Sequence, residues 1–422
     1  MRALYNMLLH LVLPLLPLRL WWRGRKEPLY RHDVAQRFGR YSARPAKPVI
    51  WIHAVSLGET RAAQPLVRAL LERYPDHQLL VTHMTATGRA AAESLYGKDA
   101  LLAFLPYDYP WAVARFLDHF RPRLGILMET EIWFNLVRAA DARGIPMLLA
   151  NARMSEKSAR GYRRAGALIR DALQALQVAA QSDADAARLR ALGARAVSVT
   201  GNLKFDLTPP ADTAERAAEL RRLYGARAVF LAASTREGEE VLVLDALARQ
   251  ALEALTVIVP RHPQRFDEVA ALLEKRGLAF VRRSAQSPAP DGCRFVLGDS
   301  MGEMSAYYAA CDVTLIGGSL LPFGAQNLIE ACAVGAPVVI GPSTFNFAEA
   351  TALAVGAQAA VQVADAAAGI EAARRLLGDP EARRRMGEAG LRLCEAHRGA
   401  TARTIAVAEA LLTRQRRADR AL

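Results

Sequence analysis

The 422-residue chain has only four cysteines, Cys293, Cys311, Cys332 and Cys394, and none forms a C-x-x-C pair. That argues against a zinc site or a disulfide framework and fits a reducing compartment. No G-x-G-x-x-G follows a strand-like run, so dinucleotide binding is not indicated. P-loop and G-x-S-x-G nucleophile-elbow patterns are missing too, and no His or Cys pair has metal-ligand spacing. Long apolar runs are scarce. One stretch, Ala3–Leu18, approaches span length, which excludes a multi-span membrane protein. Acidic residues are few at one end. Residues 1–40 hold eight basic and two acidic side chains, a net +6 of the chain's +13. Such a concentration faces anionic lipid or nucleic acid.

The residues beside it favour lipid. Asn6, His10, Pro14 and Pro17 interrupt the apolar run, and Trp21, Trp22 and the cluster Arg23-Gly24-Arg25-Lys26 follow. A helix over these 16 residues is about 24 Å long, short of the roughly 30 Å hydrocarbon core. Tryptophans suit the headgroup zone and the basic cluster suits the cytoplasmic leaflet. No small-x-small site follows, which argues against a cleaved signal peptide; a buried core helix is the other alternative. The preferred reading is an uncleaved anchor over 1–30, spanning or lying in the interface, with the body in the cytoplasm.

Beyond residue 45 short apolar, β-branched runs alternate with helical patterns. Val49–Val55, Leu79–Thr82, Leu101–Leu105, Leu124–Met128 and Met147–Ala150 read as buried parallel strands. The proline-bearing stretch Leu207–Asp212 reads as a connection. A second series follows: Val229–Ala233, Leu255–Val259, Phe295–Leu297, Val313–Ile316 and Val338–Ile340. Two βαβ series imply two doubly wound α/β domains, over 31–206 and 226–400, with a linker at 207–225 and a helical tail at 401–422. Ligands of such sheets sit beyond the carboxyl ends of the strands. Three strand ends carry Ser-x-x-Glu: Ser56–Glu59, Ser234–Glu237 and Ser300–Glu303. Each reads as a capping box, which marks a helix N-terminus facing the ligand edge. A carboxylate there is expected to have a lowered pKa.

Taken together, the motifs resemble those of the 3-deoxy-D-manno-octulosonic acid (Kdo) transferases. In the first half these are Trp51–Thr60, Leu105–Asp108, Met128–Trp133, Ala150–Ser155 and Gly201–Asp206. In the second half they are Ala233–Glu240, Val259–Pro263, Met301–Met304, Gly317–Leu320 and Gln326–Glu330. Each is weak alone, but their order along one chain is specific. The resemblance implies a GT-B glycosyltransferase with two Rossmann-like domains facing across a cleft. Such an enzyme inverts the anomeric centre and has no resident cofactor or metal. It implies transfer of Kdo from CMP-Kdo to the tetraacyl lipid A precursor, at the cytoplasmic face of the inner membrane on anionic lipid. No nucleic-acid partner is implied. Carried over residue by residue, Glu59 matches the proton acceptor, and Glu129 and Lys204 match transition-state stabilisers. Arg261 and His262, then Met301, Gly302 and Glu303, then Asn327, Leu328, Ile329 and Glu330, match CMP-binding segments. Gly317, Gly318 and Gly324 are expected to let the backbone approach the ligand.

The chain departs from the family pattern in three places. Ile132 and Phe134 replace Leu and Pro, Thr85-Ala86-Thr87-Gly88 replaces Thr-Pro-Thr-Gly, and Gly324-Ala325-Gln326-Asn327 replaces Gly-Gly-His-Asn. Two other readings stay open: a GT-B-like enzyme on another nucleotide sugar, and a basic membrane- or nucleic-acid-binding protein without enzymatic activity.

Overall fold

The computed structural model describes residues 1–25 and 27–421, with side chains through 415; Lys26 of the basic cluster and Leu422 lie outside the described residues. The chain forms two compact units. One comprises Met1–Leu207 and His397–Leu422, the other Thr208–Ala396.

The first unit holds seven strands: β1 (Val49–His53), β2 (Gln78–His83), β3 (Ala100–Phe104), β4 (Pro122–Met128), β5 (Met147–Ala152), β6 (Leu176–Ala180) and β7 (Ala196–Val199). They form one parallel sheet in the order β3-β2-β1-β4-β5-β6-β7. Successive side chains of a strand point to opposite faces. Accordingly Val49 and Trp51 of β1 enter one apolar cluster with Phe116, Leu127 and Leu149. Ile50 and Ile52 enter another with Leu66 and Leu70. Both faces are covered, which is why β1 reads as a continuous apolar run. The C-terminal helix Ala400–Ala421 adds Ala408 and Leu412 to the second cluster. The segment read as a tail is therefore part of the first unit's core.

The second unit holds β8 (Val229–Thr235), β9 (Leu255–Pro260), β10 (Phe280–Arg282), β11 (Phe295–Leu297), β12 (Val313–Ile316), β13 (Val338–Ile340) and β14 (Ala360–Gln362). They too form a parallel sheet, in the order β10-β11-β9-β8-β12-β13-β14. Residues 207–225, read as a linker, contain the helix Thr213–Tyr224, whose Leu220 and Tyr224 are buried.

Strands β6, β7, β10 and β14 were not predicted. They are three to five residues long, and polar or exposed positions interrupt their apolar pattern. In each sheet the winding reverses beside the first strand, between β1 and β4 and between β8 and β12. Loops leaving the carboxyl ends of those strands diverge and open a crevice.

Candidate active site

At the first unit's switch point, β1 runs through Val55 into the helix Leu57–Ala62. Ser56 caps that helix by accepting from the Glu59 N–H. The Glu59 carboxylate turns back, accepting the Val55 N–H at 2.7 Å and the Ser56 hydroxyl at 3.3 Å. The capping box is therefore real here, but the expected lowering of the pKa is not. Burial, then the charges of Glu131 and Glu129, push Glu59 up to about 8; the Val55 and Ser56 hydrogen bonds pull the other way and lose. Desolvation and two neighbouring anions outweigh one helix N-terminus.

Glu129 directly follows β4 and is buried, with a left-handed backbone at φ 56°. Its carboxylate meets Lys204 Nζ at 3.2 Å and Arg153 Nη2 at 3.7 Å. Lys204 sits on a 3-10 turn, Leu203–Asp206. Three side chains fix that turn. Asn151 Oδ1 accepts the Leu203 N–H at 3.0 Å, Asn202 Oδ1 accepts the Lys204 N–H at 3.1 Å, and Asp206 accepts the Gly399 N–H at 2.7 Å. Asn151 is itself left-handed at φ 52°, where β5 slips register against β6. Strained non-glycine residues at strand ends collect where a site demands a particular side-chain direction.

Sequence reasoning assigned no role to Glu131, Arg153 or Asn151, although all three lie in motifs it singled out. Glu131 is raised by burial, accepts the Trp133 indole N–H at 2.9 Å and stands in the field of Glu129. His53 and His83 lie nearby but are fully buried, and burial pushes them down to about 3 and about 4. They are neutral imidazoles at physiological pH.

In the second unit, Arg261 and His262 follow β9, and the Arg261 N–H donates to the Thr235 carbonyl at 2.9 Å. Burial, then Arg261 and Arg236, lower the His262 pKa. The loop after β12 and the segment 324–327 pair through Ala325 N–H to Gly318 O at 2.6 Å and Gln326 N–H to Gly317 O at 2.9 Å. Buried Glu239 braces this loop from below, accepting the Leu320 N–H at 2.9 Å and the Arg236 N–H at 2.8 Å. Asn327 caps the helix Leu328–Cys332 and donates to Glu330 Oε1 at 3.0 Å.

Several expectations need correction here. Ser234 does not cap a helix; it is a left-handed residue at φ 54° in a register shift of β8, and the helix begins at Glu239. Ser300 does not cap either. It bonds the Tyr307 hydroxyl at 2.8 Å, and Glu303 pairs with Arg283 at 3.1 Å. Leu328 and Ile329 are buried, so only their backbone can meet a ligand. Gly317 is required by the chain, since a Cβ there would lie 2.4 Å from the Ser234 carbonyl. Gly302 is left-handed at φ 80°, and nothing lies within 4 Å of the place a Cβ would take. Among the described residues no group of three His, Cys, Asp or Glu side chains is placed to hold a metal ion.

Comparison with known proteins adds to this geometry. A family model described as 3-Deoxy-D-manno-octulosonic-acid transferase (kdotransferase) matches residues 32–207, and one described as Glycosyl transferases group 1 matches 278–392. The 3-deoxy-D-manno-octulosonic acid transferase of Bordetella pertussis is 47% identical over 421 residues, covering 96% of this chain and 98% of that protein. That of Haemophilus influenzae is 36% identical over 371 residues, covering 86% and 87%. Among solved structures, the UDP-GlcNAc 2-epimerase from Neisseria meningitidis bound to UDP-GlcNAc superposes with a TM-score of 0.59 at 16% identity, over 87% of this chain and all of that one. That likeness concerns the fold, which is GT-B-like.

Proposed function

The chain belongs to the 3-deoxy-D-manno-octulosonic acid (Kdo) transferase family, glycosyltransferases of lipopolysaccharide synthesis, and on that premise we propose how its residues divide the work. The donor is CMP-Kdo and the acceptor a hydroxyl of the tetraacyl lipid A precursor. The observation that carries this reading is the grouping at the first switch point: the Glu59 carboxylate after β1, and Glu129 after β4 paired with Lys204 of the turn Leu203–Asp206.

The reaction is one displacement. The acceptor oxygen bonds to the anomeric carbon while the bond from that carbon to the CMP phosphate oxygen breaks. The electron pair leaves with CMP, and the hydroxyl proton passes to Glu59. A carboxylate with proton affinity near neutral pH suits this task. Lys204 supplies positive charge where the donor carboxylate and departing phosphate are negative, and Glu129 holds it there. This scheme needs no resident metal. In the second unit Arg261 and His262 serve the phosphate, the 301–303 segment offers backbone amides, and Glu330 accepts hydrogen bonds from ribose hydroxyls. The test is incubation with CMP-Kdo and the lipid A precursor, with product masses read by mass spectrometry. Kdo-bearing product and free CMP are expected; a product formed only from a UDP-sugar would defeat the reading.

The N-terminal segment serves as an interfacial anchor on the cytoplasmic face of the inner membrane. No single described helix is long and apolar enough to cross a membrane. The helices Arg2–Val12 and Leu15–Arg23, bent by 56°, pass that test only together. One face is tied to the body. Tyr5 donates to Asp108 at 2.9 Å, Asn135 to Asn6 Oδ1 at 2.8 Å and Tyr109 to the Leu9 carbonyl at 2.6 Å. Crossing the bilayer would break these bonds and leave buried polar groups unpaired, which supports lying in the interface. The other face exposes Leu4, Met7, Leu8, Leu11, Leu15, Leu18 and Trp22, and Arg25 stacks on Trp21 at 4.1 Å. Replacing Leu11 and Leu15 by Glu is expected to cut affinity for anionic vesicles about 100-fold in a sedimentation assay, from lost apolar burial. Unchanged sedimentation would refute the anchor.

A further inference from the structure

We propose that Gln326 is a positioning residue that aims the Arg261 guanidinium at the phosphate of the bound nucleotide. The proposal rests on the reading of the second unit as the nucleotide-binding one. Arg261 Nε donates to Gln326 Oε1 at 2.9 Å, across 65 residues of sequence. The acceptor is rigidly placed. Ala325 is left-handed at φ 66° and Gly324 at φ 86°, and the Gln326 N–H is held by Gly317. The carboxamide lies over Gly318, where a Cβ would come within 3.1 Å of Gln326 Nε2.

The chemistry explains why an amide stands there. A guanidinium held at Nε by a neutral acceptor presents its two terminal nitrogens in a fixed plane, the geometry of bidentate oxyanion binding. A carboxylate at 326 would hold the same nitrogen but cancel the charge the phosphate needs. Arg261 is held by its backbone on Thr235 and by its side chain on Gln326. Thr235 ends β8 and Gln326 lies in the connection after β12, the two strands that flank the switch point. Less side-chain freedom is then lost when the phosphate binds. The neutral amide keeps an acceptor available at every pH.

The test compares CMP with cytidine, which lacks the phosphate, by isothermal titration on the full chain. Wild type should prefer CMP. Gln326→Ala is expected to weaken CMP about 10-fold while leaving cytidine unchanged, because only a charge-assisted phosphate contact is loosened. The same change made on Arg261→Ala should cost nothing further, since the two side chains act as a unit. Gln326→His, measured at pH 8 where the imidazole is a neutral acceptor, should return CMP affinity to within about threefold of wild type. Equal losses for CMP and cytidine, an unchanged CMP affinity, or costs that add with Arg261→Ala would each overturn the proposal. A wild-type protein that binds neither CMP nor cytidine would remove the nucleotide reading itself.

Discussion

Glu59→Gln should transfer sugar at least about 10³-fold more slowly while keeping its fold and its hold on CMP, because the amide cannot take the acceptor's proton. The amide oxygen can still accept the Val55 N–H that Glu59 Oε2 now accepts at 2.7 Å, so the helix start survives. The variant should also be more stable than wild type at alkaline pH. Glu59 has a folded-state value of about 8 against an ordinary one of 4.5. Between those values the folded protein holds a proton that the unfolded chain has released, so stability falls as pH rises through that window. Glutamine removes this penalty. By pH 8.5 its advantage should be on the order of 4 kcal/mol in denaturant titrations, shrinking toward zero near pH 4.5. An inactive variant with no such gain would mean that Glu59 is an ordinary exposed carboxylate. One with near-wild-type turnover would mean that another group takes the proton.

The same environment sets the pH profile. At low substrate, transfer should rise about tenfold per pH unit and level off above about pH 8, where Glu59 is ionised. Glu131 and Glu129 are the neighbouring charges that oppose this ionisation. Glu131→Gln should therefore move the rising limb to lower pH without abolishing turnover. A limb that stays in place would mean that burial and Glu129, not Glu131, set Glu59's proton affinity.

Ten of the fourteen strands among the described residues, and the position of Glu59 after the first of them, were legible because a parallel strand covered on both faces writes itself as an apolar run. The proton affinity of Glu59 was not legible. Sequence places it at a helix N-terminus, whereas Glu129 and Glu131 approach from a strand 70 residues away. Local signals failed in the same manner at Ser234 and Ser300. Their Ser-x-x-Glu spacing is the same as at Ser56, but a register shift at Ser234 and a left-handed Gly302 at φ 80° break the helical start that capping needs. Nor could spacing reveal that residues beyond 397 return to the first unit. Asp206 accepting the Gly399 N–H at 2.7 Å joins positions 193 residues apart.

That long-range tie bears on the second large effect, expected at Lys204. Lys204→Met should lower turnover about 10²- to 10³-fold, as loss of a preorganised charge does. It should also destabilise the fold, because Glu129, 8% exposed, would be left leaning on Arg153, 3.7 Å away. Glu129→Gln should lower turnover as well, since the lysine loses the carboxylate 3.2 Å from its Nζ that fixes its direction. The informative case is the double variant. With both charges gone no buried carboxylate is left uncompensated, and Arg153, about a third exposed, can be solvated by water, so its melting temperature should recover most of what Lys204→Met lost. Its turnover should recover nothing, because the positive charge that faces the donor is still missing. If the double variant regained activity along with stability, Lys204 would serve only to neutralise Glu129, and the charge for the departing phosphate would have to come from another residue.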